Sequence, residues 1–231
     1  MIIPAYNHAD QILSVIEKAL ELGLTVIVVD DGSTDDTPAK LREAQGIQLL
    51  THDRNLGKGA ALMTGLIAAA ARADWAITVD ADGQHDPAEA INLIASVPRG
   101  VRPIVLGRRL GMKAGKVPWT SRWGRRFSNF WVWVAGGPWL ADSQSGFRMY
   151  PLPETLDLQP RSLRFQFEME ILILAAWRGL PVIEAPINVR YDLPGGRVSH
   201  FKPGLDFWRN TKTILPLIAK RLFLPRRRRW P

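Results

Sequence analysis

The sequence predicts an α/β fold in which a mainly parallel central sheet is flanked by helices. Over the first hundred residues, short apolar runs alternate with segments of helical periodicity. Residues 25–29 form a continuous β-branched run, as expected of a parallel strand that is buried on both faces. Strands joined by helices in this way carry their ligand sites at the carboxyl ends of the strands.

Each element follows from a local pattern. Ile12, Val15, Ile16 and Ala19 recur at helical spacing, and Pro87 suits the first turn of a helix. The predicted order is a strand at 2–3, a helix at 12–20, strands at 25–29 and 47–50, a helix at 59–73, a strand at 75–79, a helix at 87–96, a strand at 101–106, a helix at 165–178, a strand at 187–191 and a last helix ending at 224.

Composition restricts the class of protein. The chain has 231 residues, a formal net charge of +8 and no cysteine, so disulfides and thiolate metal sites are excluded and an anionic partner is expected. Five of nine tryptophans lie between residues 119 and 139, beside a basic cluster, which is typical of a membrane interface. No segment has the roughly 18–20 apolar residues that span a bilayer, and no signal peptide is expected after Met1.

The strand at 75–79 ends in the segment Asp80-Ala81-Asp82-Gly83-Gln84-His85. Because side chains alternate along an extended chain, Asp80 and Asp82 are expected on the same side. Their oxygens, with that of Gln84, suit Mg²⁺ or Mn²⁺, ions that usually hold substrate phosphates. The alternative for such a pair is a solvated acidic turn after a strand.

Four motifs in order resemble those of inverting, nucleotide-sugar-dependent glycosyltransferases of family 2, which have the GT-A fold. The motifs are Ile2-Ile3-Pro4-Ala5-Tyr6-Asn7, Val28-Val29-Asp30-Asp31-Gly32-Ser33-Thr34-Asp35, Asp80-Ala81-Asp82-Gly83-Gln84-His85 and Ser145-Gly146-Phe147-Arg148. The last two look most like dolichyl- or polyprenyl-phosphate sugar synthases and their bacterial glycolipid relatives. The resemblance implies a GT-A domain over residues 1–204 and an amphipathic, basic, membrane-associating segment over residues 205–231.

On the donor side, the resemblance implies a UDP- or GDP-sugar. Nucleotide contacts are expected from Pro4, Ala5, Tyr6, Asn7, Asp30, Asp31, Lys58, Asp80 and Ala81. Lys58 precedes a helix, and a helix amino terminus favours anions. The divalent ion, Mg²⁺ or Mn²⁺, is expected on Asp80, Asp82 and Gln84. Asp82 is expected to act in catalysis by holding this ion, which neutralises the charge on the leaving diphosphate.

On the acceptor side, the resemblance implies a polyprenyl phosphate or another lipid. Arg109, Arg122 and Arg126 are expected to clamp phosphates, because guanidinium groups match phosphate oxygens. Further acceptor or phosphate contacts are expected from Ser145, Arg148, Arg197, His200 and Lys202. Glu168 and Glu170 start a helix, and one of them is expected to be structural and the other to meet the sugar.

The acceptor decides whether a general base is needed. An isoprenoid phosphate is already anionic, whereas a hydroxyl acceptor of a glycolipid or polysaccharide needs a carboxylate, for which Asp142 is the candidate. We expect a cytoplasmic protein on the anionic inner face of the membrane, and no nucleic-acid partner. A sugar-1-phosphate nucleotidyltransferase and a non-enzymatic basic lipid- or nucleic-acid-binding module are the remaining alternatives.

Overall fold

The computed structural model describes residues 1–110, 119–189 and 203–223, with residues 119–124 and 203–210 described by their backbone alone. The strands are β1 (Ile2–Ala5), β2 (Val26–Asp30), β3 (Ile47–Thr51), β4 (Trp75–Thr78), β5 (Ile104–Arg109), β6 (Arg148–Pro151) and β7 (Val182–Ile187). The α-helices are α1 (Ile12–Leu20), α2 (Thr37–Glu43), α3 (Lys58–Ala70), α4 (Ala90–Ala95), α5 (Trp119–Val134), α6 (Phe167–Arg178) and α7 (Pro203–Phe223).

The strands form one mainly parallel sheet in the order β3-β2-β1-β4-β6-β5-β7, which confirms the predicted α/β class. Only β6, among the described strands, runs antiparallel to its neighbours β4 and β5. The amino end of β6 therefore meets the carboxyl ends of its neighbours, and Arg148 pairs with Thr78 and with Leu106. The segment before β6 is thereby brought to the same edge of the sheet as the loops that follow β1, β2 and β4.

Two apolar layers enclose the sheet, because its strands are apolar on both faces. One layer includes Leu62 of α3, Val132 of α5, Ile171 of α6 and Ile214 of α7. The other layer packs α1 and α4 against the opposite face. Gly65 of α3 allows the helix to lie directly on Ile2 of β1, since a Cβ there would overlap the isoleucine side chain. Burial of these layers is the main stabilising term of the fold.

Several element boundaries differ from the predicted ones. The strand expected at 101–106 is β5 at Ile104–Arg109, because Pro98 and Pro103 keep the preceding residues out of the sheet. The strand expected at 187–191 is β7, which already ends at Ile187. The helix expected at 87–96 is a 3₁₀ turn followed by the short α4. α2 and α5 were not predicted as helices.

α7 begins at Pro203, so the predicted boundary at residue 204 falls at its start. Ile214 and Leu217 of α7 are buried in the layer that contains α3, α5 and α6. The helix thus packs on the domain instead of standing apart from it. Among the described residues, none of the helices combines the length and hydropathy required to cross a bilayer.

Candidate active site

The loops after β1 and β2 are joined into one wall by Asn7. Its backbone has a φ of 55°, a left-handed conformation that asparagine tolerates better than most residues. Asn7 Oδ1 accepts a hydrogen bond from Thr34 N at 2.8 Å, and Asn7 N donates to Ser33 Oγ at 3.0 Å. Two of the predicted motifs are therefore in direct contact at the carboxyl edge of the sheet.

Asp30 and Asp31 are both buried, and both bind backbone amides. Asp30 Oδ1 accepts from Ser33 N at 3.0 Å. Asp31 accepts from Leu56 N at 2.9 Å and Gly57 N at 2.7 Å, and its Oδ1 lies 2.7 Å from His52 Nδ1. Asp31 thus fixes the turn that begins α3. A depression of about 490 Å³ lies beside this turn and is lined by residues 51–54 and 56. Direct contacts of the two carboxylates with a nucleotide stay a prediction.

The centre of the site is a cluster of three charges. Lys58 Nζ lies 2.7 Å from Asp80 Oδ1 and 2.6 Å from Glu168 Oε1. Burial acts against the ammonium, yet the two carboxylates together raise the pKa of Lys58. Burial likewise disfavours the charged form of Asp80, but Lys58 outweighs it and lowers the pKa of that carboxyl. Lys58, the first residue of α3, is therefore held as a cation at the floor of the site.

Gly146 closes the cluster from the side of β6. A Cβ at this position would lie 2.5 Å from Asp80 Oδ2 and 2.7 Å from Lys58 Nζ. The carbonyl of Gly146 accepts a hydrogen bond from Thr78 Oγ1 of β4 at 2.8 Å. The motif Ser145-Gly146-Phe147-Arg148 requires glycine here because its backbone lies against the charged pair.

Asp82, Gln84 and His85 follow Asp80 in the turn after β4. Asp82 Oδ1 accepts from Gln84 N at 3.0 Å, which fixes the turn. His85 is buried and stacks on Phe147, with ring centroids 5.6 Å apart and an interplanar angle of 11°. Burial lowers the pKa of His85 to about 4, although the Asp80 carboxylate opposes the shift. His85 is thus neutral at physiological pH, and its buried Nδ1 has no hydrogen-bond partner in the described part of the chain.

The side-chain oxygens of Asp80, Asp82 and Gln84 are chemically suited to bind a divalent ion. Within the described residues there is no group of three or more His, Asp or Glu side chains arranged around a common point. Mg²⁺, however, is usually bound by one or two carboxylates together with substrate phosphates and water. Asp80 and Asp82 provide two carboxylates, and Gln84 adds an amide oxygen. Asp80 is paired with Lys58 and Asp82 Oδ1 accepts from Gln84 N, and a metal ion on Asp80, Asp82 and Gln84 stays a prediction.

The part of the site predicted to receive the acceptor is organised around a second ion pair. Asp142 is completely buried, and its carboxylate accepts from Arg109 Nε at 2.7 Å and Nη2 at 2.8 Å. Arg125 Nη1 lies 3.9 Å from the same carboxylate. The amides of Ala141 and Asp142 donate to the Glu184 carboxylate. Asp142 is therefore paired with Arg109 in this conformation, and the predicted roles of the two side chains as general base and phosphate clamp stay predictions.

Arg148 has a structural position and not the acceptor-facing one predicted for it. It is fully buried, and its guanidinium donates to the carbonyls of Ser145 at 2.6 Å, Glu168 at 2.8 Å and Ser143 at 2.8 Å. Ser145 is also buried, and its hydroxyl has no partner among the described residues. Arg148 thus holds the glycine motif against α6.

The other predicted site residues are distributed as follows. Pro4, Ala5 and Ala81 are buried at strand ends, Tyr6 is half-buried and Arg126 is exposed on α5. The side chain of Arg122 and the whole of Arg197, His200 and Lys202 lie outside the described residues.

Three contacts were not predicted from the sequence, although Glu168 was named there as one of two candidates to meet the sugar. Glu168 completes the central cluster, Arg125 approaches Asp142, and Glu184 positions the Asp142 backbone. Glu170, the other acidic residue of the helix start, accepts from Arg161 N and Ser162 N and is structural. No spacing signal identifies these partners, because 110 residues separate Lys58 from Glu168 and 42 separate Asp142 from Glu184.

Comparison with known proteins identifies the family of the chain. The model of the family described as Glycosyl transferase family 2 matches residues 1–152. A UDP-N-acetylglucosamine–dolichyl-phosphate N-acetylglucosaminyltransferase of Methanococcus voltae is 31% identical over 213 residues, which cover 83% of this chain and 85% of the relative. A dolichyl-phosphate β-glucosyltransferase of Trichomonas vaginalis is 27% identical, over 81% of this chain and 62% of its own.

A solved structure shows the same fold. Glucosyl-3-phosphoglycerate synthase from Mycobacterium tuberculosis, crystallised with Mn²⁺, UDP-glucose and glycerol 3-phosphate, superposes with a TM-score of 0.61. The match is 19% identical and covers 97% of this chain and 79% of that one. The seven-stranded, mainly parallel sheet is therefore that of the GT-A fold.

Proposed function

Because the chain belongs to glycosyl transferase family 2, we propose that it transfers a sugar from a nucleotide-diphosphate sugar to a polyprenyl phosphate. The similarity to dolichyl-phosphate transferases over more than four fifths of the chain carries this proposal. The buried pairing of Asp142 with Arg109 supports it, since an acceptor that is already anionic requires no general base.

The proposed reaction is a single displacement with inversion. A phosphate oxygen of the acceptor forms a bond to the anomeric carbon as the bond from that carbon to the nucleoside diphosphate breaks. The electron pair of the broken bond stays on the departing diphosphate, so negative charge develops there. The largest requirement of the step is positive charge beside the diphosphate.

Residues of the central cluster meet that requirement. Lys58 is a buried cation at the amino terminus of α3, where the exposed amides of a helix also favour anions. Asp82 and Gln84, with Asp80, are the residues that would hold a Mg²⁺ or Mn²⁺ ion. When bound, such an ion neutralises the leaving diphosphate. The wall built by Asn7 and Asp31 is proposed to receive the nucleoside of a UDP- or GDP-sugar.

The acceptor also determines where the protein works. A polyprenyl phosphate is embedded in a bilayer, so its headgroup can be reached only by a protein at the membrane surface. Peripheral association with an anionic membrane is consistent with the net charge of +8. The cytoplasmic inner face stays a prediction.

Thermal shift tests the donor half of the proposal. Nucleoside diphosphates and nucleotide sugars are added to the wild type, Asp82→Asn and Asp74→Asn, each with and without Mn²⁺. Asp74 is exposed and precedes the opposite end of β4, so its substitution is the matched control. We expect ion-dependent stabilisation of the wild type and the control but not of Asp82→Asn. Equal stabilisation of all three proteins would contradict the assignment of Asp82.

A further inference from the structure

α5 exposes aromatic side chains where a surface helix usually carries polar ones. Phe127, Phe130 and Trp133 are 41%, 45% and 47% exposed, and Trp139, just beyond the helix, is 71% exposed. The opposite face of α5 is buried and includes Ser128, Asn129 and Val132. We call the exposed set, Phe127, Phe130, Trp133 and Trp139, the aromatic face.

The aromatic face is a continuous surface. The ring centroids of Phe130 and Trp133 are 6.3 Å apart, and those of Trp133 and Trp139 are 5.8 Å apart at an interplanar angle of 87°. Single exposed apolar residues are ordinary, whereas a contiguous patch marks a surface that binds something.

α7 extends this surface. Arg221 Nη1 donates to the carbonyl of Trp133 at 2.8 Å and to that of Val134 at 2.5 Å, where α5 ends. A cation at the carboxyl terminus of a helix is favourable. Leu222 and Phe223, which follow in the chain, are both largely exposed. The end of α7 therefore adds apolar surface next to the aromatic face.

Charge identifies the occupant. The exposed Arg126 precedes Phe130 by one helical turn, and Lys220 and Arg221 form the last basic turn of α7. A second copy of the chain would bring its own charge of +8 against this surface, whereas anionic lipid headgroups are attracted to it. Tryptophan and phenylalanine bordered by basic residues are also the combination that settles at a bilayer interface.

The buried side of α5 is hydrogen-bonded to the segment that leads into the site. Asn129 Nδ2 donates to the carbonyl of Ala141 at 2.9 Å, and Asn129 Oδ1 accepts from Ser143 N at 2.9 Å. The segment from Asp142 leads directly to Gly146, which lies against Asp80 and Lys58. α5 therefore lies between the site and any surface that is bound to the aromatic face.

We propose that the aromatic face inserts into the headgroup region of an anionic bilayer and sets the site at the level of the lipid phosphates. Its role in presenting the acceptor rests on the proposed function, but the docking itself does not. The principal membrane contact is thus α5 with Trp139, and not the C-terminal segment 205–231 predicted from the sequence.

Vesicle co-sedimentation of the full chain tests the docking. The probes are vesicles of phosphatidylcholine alone and of phosphatidylcholine with phosphatidylglycerol. The test variant is Trp133→Ser with Trp139→Ser. The matched control is Ile91→Ser with Ile94→Ser, which removes two exposed apolar side chains from α4, on the other layer of the sheet.

We expect the wild type and the control to bind the anionic vesicles, and the tryptophan variant to bind at least about tenfold more weakly. Stabilisation by donor nucleotide is expected to be unchanged in all three proteins. Binding of the tryptophan variant equal to wild type, or no preference of the wild type for anionic vesicles, would overturn the proposal. A dimer that only the tryptophan variant loses would also overturn it, since the occupant would then be a second copy.

Failure of docking and failure of the proposed function are distinguishable. Sugar transfer to polyprenyl phosphate in detergent without vesicle binding would overturn the docking alone. Normal vesicle binding without transfer to any polyprenyl phosphate would overturn the function and leave the docking supported.

Discussion

The two halves of the site, which we propose to bind the donor and the acceptor, are held together by different interactions. In the donor half, side chains such as Asn7 and Asp31 bind backbone amides of neighbouring loops. In the acceptor half, charged side chains from distant segments pair with one another, as in Arg109 with Asp142. Lys58, Asp80 and Glu168 join the halves. Loops fixed by hydrogen bonds to backbone amides depend on local geometry, whereas buried ion pairs depend on both partners being present.

The largest effect is expected from Asp142→Asn. The substitution leaves the Arg109 cation largely buried without its carboxylate, which should reduce the free energy of unfolding by about 3 kcal/mol. Urea denaturation measures the change, and Asp74→Asn is the exposed control. A stable Asp142→Asn protein that had lost only transfer to hydroxyl acceptors would instead identify Asp142 as a general base.

Gly146→Ala tests the junction of the two halves. The added Cβ overlaps Asp80 and Lys58, and such overpacking typically costs about 2 kcal/mol. Because Lys58 must move, we expect donor turnover to fall together with the melting temperature. Gly100→Ala is the control. A Cβ at Gly100 meets no atom within 4 Å, but the backbone there has a φ of 73°, which is strained for alanine. It should lose stability without loss of turnover, and equal turnover in both variants would contradict the packing argument.

Acid should destabilise the metal-free protein through His85. Its pKa is lowered to about 4 by burial, whereas in the unfolded chain it titrates near 6.5. Below about pH 6.5 the unfolded state therefore binds a proton that the folded state does not, so stability falls as the pH falls toward 4. The loss between pH 7 and pH 5 is about 2 kcal/mol. His85→Phe preserves the stacking on Phe147 and should remove this part of the pH dependence, and an unchanged slope would contradict it.

The smallest effect is expected at the other edge of the sheet. Arg102 pairs with Glu154 and lies over the Trp75 ring, but both charged side chains are more than one third exposed. An exposed pair of this kind contributes less than about 1 kcal/mol. Arg102→Ala should therefore leave turnover unchanged and barely lower stability. A large loss of turnover would show that the two ends of the sheet are coupled.

The contrast between the halves also explains what the sequence could predict. The strands and the donor motifs are local patterns, so the carboxyl-edge positions of Asn7, Asp31 and Asp80 follow from the sequence and are confirmed by the topology. The ion pairs are not local, because their partners are far apart in the chain. Nothing near Arg148 in the sequence indicates that three backbone carbonyls bury its guanidinium.

α5 was missed for a related reason. Trp131 is partly buried against a core layer, whereas Phe127, Phe130 and Trp133 are exposed, so aromatic residues do not mark the buried face of this helix. We attribute the exposed aromatic side chains of α5 to the proposed membrane contact and not to the folding of the domain. A helix that meets a bilayer has no need of the polar face that makes an ordinary surface helix recognisable.

Mass spectrometry of the lipid product tests the central claim most directly. Polyprenyl phosphate and the matching polyprenol are incubated separately with UDP- and GDP-sugars, a divalent ion and the wild-type protein. We predict that the phosphate gains the mass of one sugar with release of the nucleoside diphosphate, and that the polyprenol is unchanged. Glycosylation of the polyprenol, or of neither lipid with any donor, would contradict the account.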